Sequence, residues 1–179
     1  MNKEQYNEIH GDLIKLAHEG MFDVITHGCN CHCTMGAGIA PQMAKAFGCD
    51  RFKMEAPQFK GSINKLGTID YELLHFSDWD KKFQKYPDEG NKILFSLYVV
   101  NSYSQYNYGA NHTDGVAKPL DYEALTLCLR KINFAFKGKR IGLPQIGAGL
   151  AGGNWNRIQS IIQQELRDCE VTVVIYKKD

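Results

Sequence analysis

Residues 22–47, FDVITHGCNCHCTMGAGIAPQMAKAF, carry a strand pattern, a glycine-bearing loop and a helix pattern in succession. Residues 22–29 form a short apolar run, which is typical of a buried strand. The loop after it holds Gly36 and Gly38, and residues 38–47 are predicted to form a helix. A strand that leads through a glycine loop into a helix indicates a layered α/β fold.

The same alternation continues along the rest of the chain. Because helices separate most of the predicted strands, the sheet should be mixed but mostly parallel. The sequence thus predicts an α/β fold with about six strands and four helices. The further strands are predicted at 6–14, 67–75, 92–102, 140–146 and 171–176, and the further helices at 50–59, 122–136 and 155–166.

Length and charge limit the classes of function. The 179 residues suit one domain, and 21 Lys and Arg against 20 Asp and Glu leave a net charge of +1, which lacks the basic excess of a general nucleic-acid binder. No apolar run approaches the ~20 residues that span a bilayer, and the polar start MNKEQYNEIHGD does not resemble a secretory signal. We therefore expect a cytoplasmic protein that binds no membrane.

Three of the six cysteines crowd into the pentapeptide Cys29-Asn30-Cys31-His32-Cys33. Disulfides require particular Cβ approaches that this spacing does not favour, so reduced thiols are expected. With His27 these residues also raise a zinc hypothesis, but structural zinc sites pair ligands two to four residues apart. The sequence therefore predicts no metal and no cofactor.

Two glycine-rich loops, residues 35–40 and 147–153, each lie between a predicted strand and a predicted helix. Such loops expose backbone N–H groups at the positive end of a helix dipole, where phosphate oxygens bind. At the carboxyl ends of neighbouring strands, the two loops would hold a diphosphate between them. The alternative for each loop is tight turning and close helix packing, which glycine also permits.

The second loop also matches the pattern G-x-G-x-x-G through Gly147, Gly149 and Gly152. A dinucleotide-binding unit ends its second strand in an acidic residue, whereas Glu165 and Asp168 lie within or just after the predicted helix. Only one predicted strand follows. A nicotinamide-dependent oxidoreductase is therefore not expected.

Four segments, residues 11–13, 23–30, 35–40 and 144–150, resemble the macro domain in order and spacing, and the resemblance spans nearly the whole chain. It implies a single macro domain over residues 1–179 that binds ADP-ribose. It also implies a three-layer α/β/α macro-type fold with a central mixed, mostly parallel six-stranded sheet.

The resemblance also assigns roles to residues. Asp12 and Leu13 would contact the adenine, where a carboxylate suits the exocyclic amino donor. Asn30 would face the distal ribose. The diphosphate would lie between Gly36, Ala37, Gly38 and Ile39 on one side and Gly147, Ala148, Gly149, Leu150 and Ala151 on the other.

Within the family, the run His27-Gly28-Cys29-Asn30-Cys31 is most similar to the fungal-type ADP-ribose 1''-phosphate phosphatases. The resemblance implies metal-independent removal of the terminal phosphate, with His27, Asn30 and His32 as catalytic candidates. Imidazole titrates near neutrality, so either histidine is suited to act as acid or base. Asp114 and Asp121 are candidate carboxylate partners by their predicted loop positions.

Two other functions stay open. The chain is partly similar to terminal ADP-ribose protein glycohydrolases, but it has Asn101 and Ser102 where that branch has a lysine, and Ala151 where it has an aspartate. Removal of ADP-ribose from protein or nucleic acid by another route, or binding without catalysis, are the alternatives. The loop from Tyr103 to Tyr108 is a candidate gate of the cleft.

Overall fold

The computed structural model of the protein describes residues 5–52, 60–107 and 119–177. Seven strands and four α-helices lie in these ranges. The strands are β1 (Tyr6–His10), β2 (Val24–Asn30), β3 (Ile69–Ser77), β4 (Phe83–Gln84), β5 (Ile93–Gln105), β6 (Arg140–Pro144) and β7 (Glu170–Ile175). The helices are α1 (Leu13–His18), α2 (Ala40–Phe47), α3 (Tyr122–Ala135) and α4 (Trp155–Glu165).

All seven strands form one sheet in the order β1-β7-β6-β2-β5-β3-β4. The five strands β1, β7, β6, β2 and β5 are parallel, whereas β3 and β4 are antiparallel to their neighbours. The mixed, mostly parallel sheet is thus confirmed, with seven strands instead of six. The additional strand is β4, whose two residues are too short to leave a periodic pattern.

Helices cover both faces of the sheet. On one face, α3 and α4 pack Leu125, Leu129 and Ile158 against the strands. On the other face, Leu13 of α1 and Met43 of α2 pack against β2 and β5. Because each face of a buried parallel sheet needs an apolar cover, this arrangement gives the expected three-layer α/β/α class.

The predicted strand at 6–14 is wrong in its second half. β1 ends at His10, and Asp12 begins a helix instead, because its side chain accepts hydrogen bonds from the backbone N–H groups of Ile14 (2.8 Å) and Lys15 (3.1 Å). A side-chain cap at this position stabilises the first turn of a helix. The apolar residues that follow therefore continue as α1.

The predicted helix at 50–59 is wrong over residues 50–52, which the structure describes. Gly48 ends α2 in the left-handed conformation (φ 66°), and Cys49–Arg51 form one 3-10 turn that ends at Phe52. Residues 53–59 lie outside the described ranges. A second 3-10 turn, Ile63–Lys65, precedes β3.

None of the described helices combines the length and apolar character that crossing a membrane requires. All six cysteines are free thiols, and five of them are buried.

Candidate functional site

A cavity of about 970 Å³ opens at the carboxyl ends of the parallel strands, between the two glycine loops. In an open α/β sheet this edge is where ligands bind. The cavity brings together every residue for which the sequence predicts ligand contact. These are Asp12, Leu13, Gly36, Ala37, Gly38, Ile39, Gly147, Ala148, Gly149, Leu150 and Ala151.

The first loop leads directly into α2. No side chain caps this helix: its N-cap is Ile39, which makes no side-chain cap hydrogen bond. The positive end of the helix dipole is therefore available to an anion in the cavity. Gly38 has φ 64°, and a Cβ on Gly36 would meet nothing within 4 Å. At Gly36 this loop therefore presents backbone with no side chain above it.

The second loop is held by its own backbone. Gly147 has φ 75°, and the Gly153 N–H donates to the Gly147 carbonyl oxygen (2.8 Å). A Cβ on Gly147 would lie 2.9 Å from Leu120 Cδ1, so the position requires glycine for space as well as for conformation. Asn154 caps α4 by accepting from the Arg157 N–H. The loop is a preformed turn between β6 and α4.

The two loops approach each other across the cavity. Leu150 is 51% exposed at the tip of the second loop. Its Cδ1 lies 3.9 Å from the position of a Cβ on Gly38. In contrast, a Cβ on Gly149 would meet nothing within 4 Å. The Leu150 side chain thus bridges the mouth of the cavity, while Gly149 leaves its interior open.

Asp12 lines one end of the cavity. Both of its cap hydrogen bonds are accepted by Oδ1, and a carboxylate has a second oxygen, Oδ2, for a ligand. The sheet order puts two strands between β1, which Asp12 follows, and β2, which ends at Asn30. At about 4.8 Å for each strand spacing, these two ends of the cavity are about 14 Å apart. The cavity therefore suits an elongated ligand.

Sequence reasoning missed several polar residues that line the cavity. Tyr176 follows β7 and is 68% exposed beside Asp12, where its ring is available for stacking. In the sequence, only the position of Tyr176 directly after a predicted strand could have indicated that it lines the cavity. Three neutral amides and one hydroxyl also line the cavity: Gln42, Gln105, Gln145 and Thr34.

Asn30 lines the cavity, but its amide is already engaged. Nδ2 donates to the carbonyl oxygen (2.8 Å) and to Oγ1 (2.9 Å) of Thr34, and Oδ1 accepts from the Thr34 N–H (3.3 Å). These bonds close a tight turn in which Cys33 has φ 58°, a conformation that L residues rarely adopt. Asn30 therefore shapes this end of the cavity by holding the turn.

His27 does not line the cavity. Its ring is fully buried on the other face of β2, and Nε2 lies 2.9 Å from Asn101 Oδ1. Asn101 Nδ2 donates to the Cys49 carbonyl oxygen and to Asp70 Oδ1, so Asn101 Oδ1 accepts and His27 Nε2 carries the proton. Burial lowers the pKa of His27 to about 4, and the bond to Asn101 opposes this change. The imidazole is neutral at pH 7.

His27, Asn101, Asp70 and Tyr103 form a connected set that we call the buried polar network. The Tyr103 hydroxyl donates to Asp70 Oδ2 (2.6 Å), and Lys65 Nζ lies 4.2 Å from the centre of the Tyr103 ring. Burial raises the pKa of Asp70, and the bonds from Tyr103 and Asn101 oppose this rise. Burial, followed by the charge of Asp70, raises the pKa of Tyr103. The network connects β2, β3 and β5 behind the cavity.

The remaining candidates lie outside the cavity or outside the described residues. His32 is half-buried and packs edge-on against Tyr106, with 5.1 Å between the ring centres. Asp121 caps α3 by accepting from the Ala124 N–H (2.9 Å). Asp114 lies in residues 108–118, which the structure does not describe, as does Tyr108 of the candidate gate.

The cavity lining carries little charge. Among its described residues, Asp12 and Tyr176 are the ionisable ones, and the loops offer an anion backbone N–H groups but neither lysine nor arginine. Within the same described ranges, no group of three or more His, Cys, Asp and Glu side chains could hold a metal ion. The arrangement is suited to an anionic group bound by backbone donors.

The sequence has a curated relative in a bacteriophage. It is 32% identical over 174 residues to an uncharacterized 17.5 kDa protein in the tk-vs intergenic region of Enterobacteria phage T4, with 93% of each chain covered. The chain belongs to the family of this phage protein. No family model matches the sequence.

Solved structures show the fold. A protein of unknown function from Bacteroides thetaiotaomicron superposes with a TM-score of 0.62 at 23% identity, over 97% of this chain and 99% of that one. The macrodomain of Mycobacterium tuberculosis DarG superposes with a TM-score of 0.57 at 19% identity, over 97% and 98%. Thermosipho africanus DarTG in complex with ADP-ribose gives 0.65 at 16% identity, over 99% of this chain and 43% of that one. The chain has the macrodomain fold.

Proposed function

We propose that this macrodomain binds ADP-ribose in the cavity between its glycine loops. The observation that carries the proposal is the convergence of both loops and Asp12 on one elongated cavity. Backbone N–H groups at the start of α2 and in the second loop would hold the diphosphate, since such groups bind phosphate oxygens. A superposable protein, Thermosipho africanus DarTG, has been solved with ADP-ribose, which supports this ligand.

The adenine would lie at the Asp12 end. Asp12 Oδ2 would accept a hydrogen bond from the exocyclic amino group, while Oδ1 keeps α1 capped. The exposed ring of Tyr176 would stack on the base. The distal ribose would then lie about three strand spacings away, near Asn30.

We propose hydrolysis of ADP-ribose 1''-phosphate as the second function. The observation that favours it is the neutral lining near Asn30: the described lining residues there include Thr34, Gln105 and Ala151 and no carboxylate. A terminal phosphate would therefore meet hydrogen-bond donors without a like charge. His27, which lies on the other face of β2, would contribute to this reaction by positioning the strand. His32 would take part only if its side chain turned toward the ligand.

The substrate would supply part of the chemistry in such a reaction. The described lining offers no imidazole, lysine or thiol for proton transfer or nucleophilic attack, and Lys65 is buried beside Tyr103 outside the cavity. A phosphate oxygen of the substrate can accept a proton from the attacking water as the new P–O bond forms, and the proton can pass to the C1'' oxygen as its bond to phosphorus breaks, which releases ADP-ribose and inorganic phosphate. This route needs positioning and charge stabilisation above all.

Calorimetric titration with ADP-ribose, AMP and ribose 5-phosphate tests the binding proposal. We expect ADP-ribose to bind most tightly and ribose 5-phosphate least, because only ADP-ribose contacts both ends of the cavity. Failure of ADP-ribose to bind would contradict it, whether or not AMP binds. Phosphate release from ADP-ribose 1''-phosphate in the presence of a chelator then distinguishes the possible functions. Release supports the phosphatase. Binding without release supports either a binding module without catalysis or removal of ADP-ribose from macromolecules.

A further inference from the structure

A polar ladder runs along the α3 side of strands β2 and β5 toward the cavity. Its first rung is complete, because Thr26 Oγ1 lies 2.7 Å from Ser102 Oγ and also donates to the Val100 carbonyl oxygen (3.1 Å). Thr26 is paired with Val100 in the sheet, so this bond to Ser102 is diagonal, and the same diagonal two residues further along each strand joins positions 28 and 104 as the next rung. Residue 28 is glycine, so the rung has one hydroxyl and no cross-strand side chain to bond it.

Ser104 is therefore in an unusual state. It is 1% exposed, and its Oγ has no hydrogen-bond partner among the described residues. Buried hydroxyls are nearly always bonded, because an unbonded one costs about 1–3 kcal/mol of desolvation. Among the described residues, Asn91 Nδ2 is the other buried side-chain donor without a partner, and Asn91 does not line the cavity.

The position of Ser104 relates it to the cavity floor. An ideal Cβ on Gly28 would lie 3.1 Å from Ser104 Oγ and 3.4 Å from Ile146 Cγ1, and both Gly28 and Ile146 line the cavity. Ser104 is also the extra residue of a β-bulge, since Cys29 pairs with Tyr103 and Asn30 with Gln105. Bulges re-aim side chains beside binding sites. The hydroxyl thus lies directly under the floor.

We infer that Ser104 is a ligand-binding residue: its hydroxyl donates a hydrogen bond to an oxygen atom lodged over Gly28, belonging to the distal half of the ligand or to a water that the ligand holds. This inference rests on the proposed binding of ADP-ribose. Glycine at position 28 serves it because it brings no side chain that could bond the hydroxyl, and a Cβ there would crowd Ser104 Oγ at 3.1 Å. A serine or threonine at that position would bond Ser104 as Thr26 bonds Ser102.

The neighbouring hydroxyl provides a matched control. Ser104→Ala should weaken ADP-ribose binding about three- to tenfold, the effect of one hydrogen bond, and leave AMP binding within about twofold. Its Tm should stay equal or rise, since no protein hydrogen bond is lost. Ser102→Ala should do the reverse: it should lower the Tm by about 2–4 °C and leave both affinities unchanged.

Two results would overturn the inference. One is an unchanged ADP-ribose affinity in Ser104→Ala, and the other is an equal loss for ADP-ribose and AMP together with a lower Tm, which would indicate a structural role. High-resolution crystal structures of the wild type and Ser104→Ala, with and without ADP-ribose, then identify the oxygen as that of ligand or water. If the wild type does not bind ADP-ribose, the proposed function fails, but an ordered oxygen within hydrogen-bond distance of Ser104 Oγ over Gly28 in the wild type alone would still support a binding role for Ser104. In that case, a wild-type crystal structure without that oxygen would refute the role.

Discussion

The cavity and the buried polar network lie back to back on the same strands, yet they are built from different chemical groups. Successive residues of β2 point to opposite faces, so Gly28 and Asn30 reach the cavity while His27 and Cys29 reach the network. The cavity offers backbone groups and neutral side chains. The network collects side chains that can titrate. The proposed diphosphate site is thus built from backbone groups, with Asp12 at the other end of the cavity, while the ionisable side chains of the network are buried away from the cavity.

A charge introduced into the cavity should have the largest effect. Gly149→Asp would set a carboxylate beside the proposed diphosphate position, where a Cβ meets nothing within 4 Å. One like-charge pair at about 4 Å costs about 4 kcal/mol at an effective dielectric constant of 20, so ADP-ribose binding should weaken about a thousandfold. Gly149→Asn, which has the same shape without the charge, should bind much more tightly than the aspartate variant. Similar affinities of the two variants in calorimetry would mean that no phosphate lies at this loop.

The buried polar network should make the stability of the protein depend on pH. Burial lowers the pKa of His27 to about 4, against 6.5 in the unfolded chain, so the unfolded state takes up the proton first as the pH falls. The free energy of unfolding should be intact above pH 6.5 and lose about 3 kcal/mol between pH 6.5 and 4 because of this residue.

His27→Gln keeps an N–H donor for Asn101 and removes this titration. Urea unfolding of wild type and variant should therefore show a difference in stability that is largest at pH 7 and shrinks by about 3 kcal/mol toward pH 4. ADP-ribose affinity at pH 7 should stay within about threefold. If the stabilities of wild type and His27→Gln changed in parallel with pH, the buried His27 would not be the source of the pH dependence. If His27→Gln lost phosphate release but kept full affinity and stability, His27 would have a catalytic role.

Asp12 tests the adenine end with a smaller effect. Asp12→Asn keeps a side-chain oxygen to cap α1, because Asn and Asp are similar N-caps, but its NH₂ group cannot accept from the adenine. ADP-ribose binding should weaken about 10- to 100-fold, as expected for a lost hydrogen bond to a charged group, with little change in Tm. The calorimetric control is ribose 5-phosphate, whose affinity should not change. A large fall in Tm with normal affinity would assign Asp12 to capping alone.

The smallest expected effect concerns the contact between the loops. Leu150 bridges the cavity mouth at Gly38, so Leu150→Ala should open it and accelerate ADP-ribose dissociation about two- to fivefold. Stopped-flow displacement measures this rate. Leu127, an exposed leucine of α3, is the control position for the same substitution. An unchanged rate in Leu150→Ala would mean that the bridge does not retain the ligand.

The fold class could be predicted because the buried strands and long helices leave strong patterns. α1 could not be separated from β1, because its six residues are preceded by only one decisive signal, the cap at Asp12. β4 is defined by pairing with β3 and not by its own two residues. Elements of this length depend on tertiary contacts, which no local pattern records.

The loops of the site could be predicted because two glycine-rich loops, each between a predicted strand and a predicted helix, occur in one chain and favour a shared anion site. The orientation of side chains could not, since His27, Gly28 and Asn30 lie within four residues and divide between two faces according to the register of β2. Tyr176 and Ser104 carried no signal either, because their roles depend on what lies beside them. The catalytic roles of His27, Asn30 and His32 stay predictions.

A crystal structure with ADP-ribose tests the central claim most directly. The account predicts the diphosphate between residues 36–39 and 147–150, with the adenine at Asp12 and Tyr176 and the distal ribose toward Asn30. Every phosphate contact should then come from backbone N–H groups of the two loops. A ligand bound elsewhere, or a diphosphate held by lysine or arginine side chains, would contradict it.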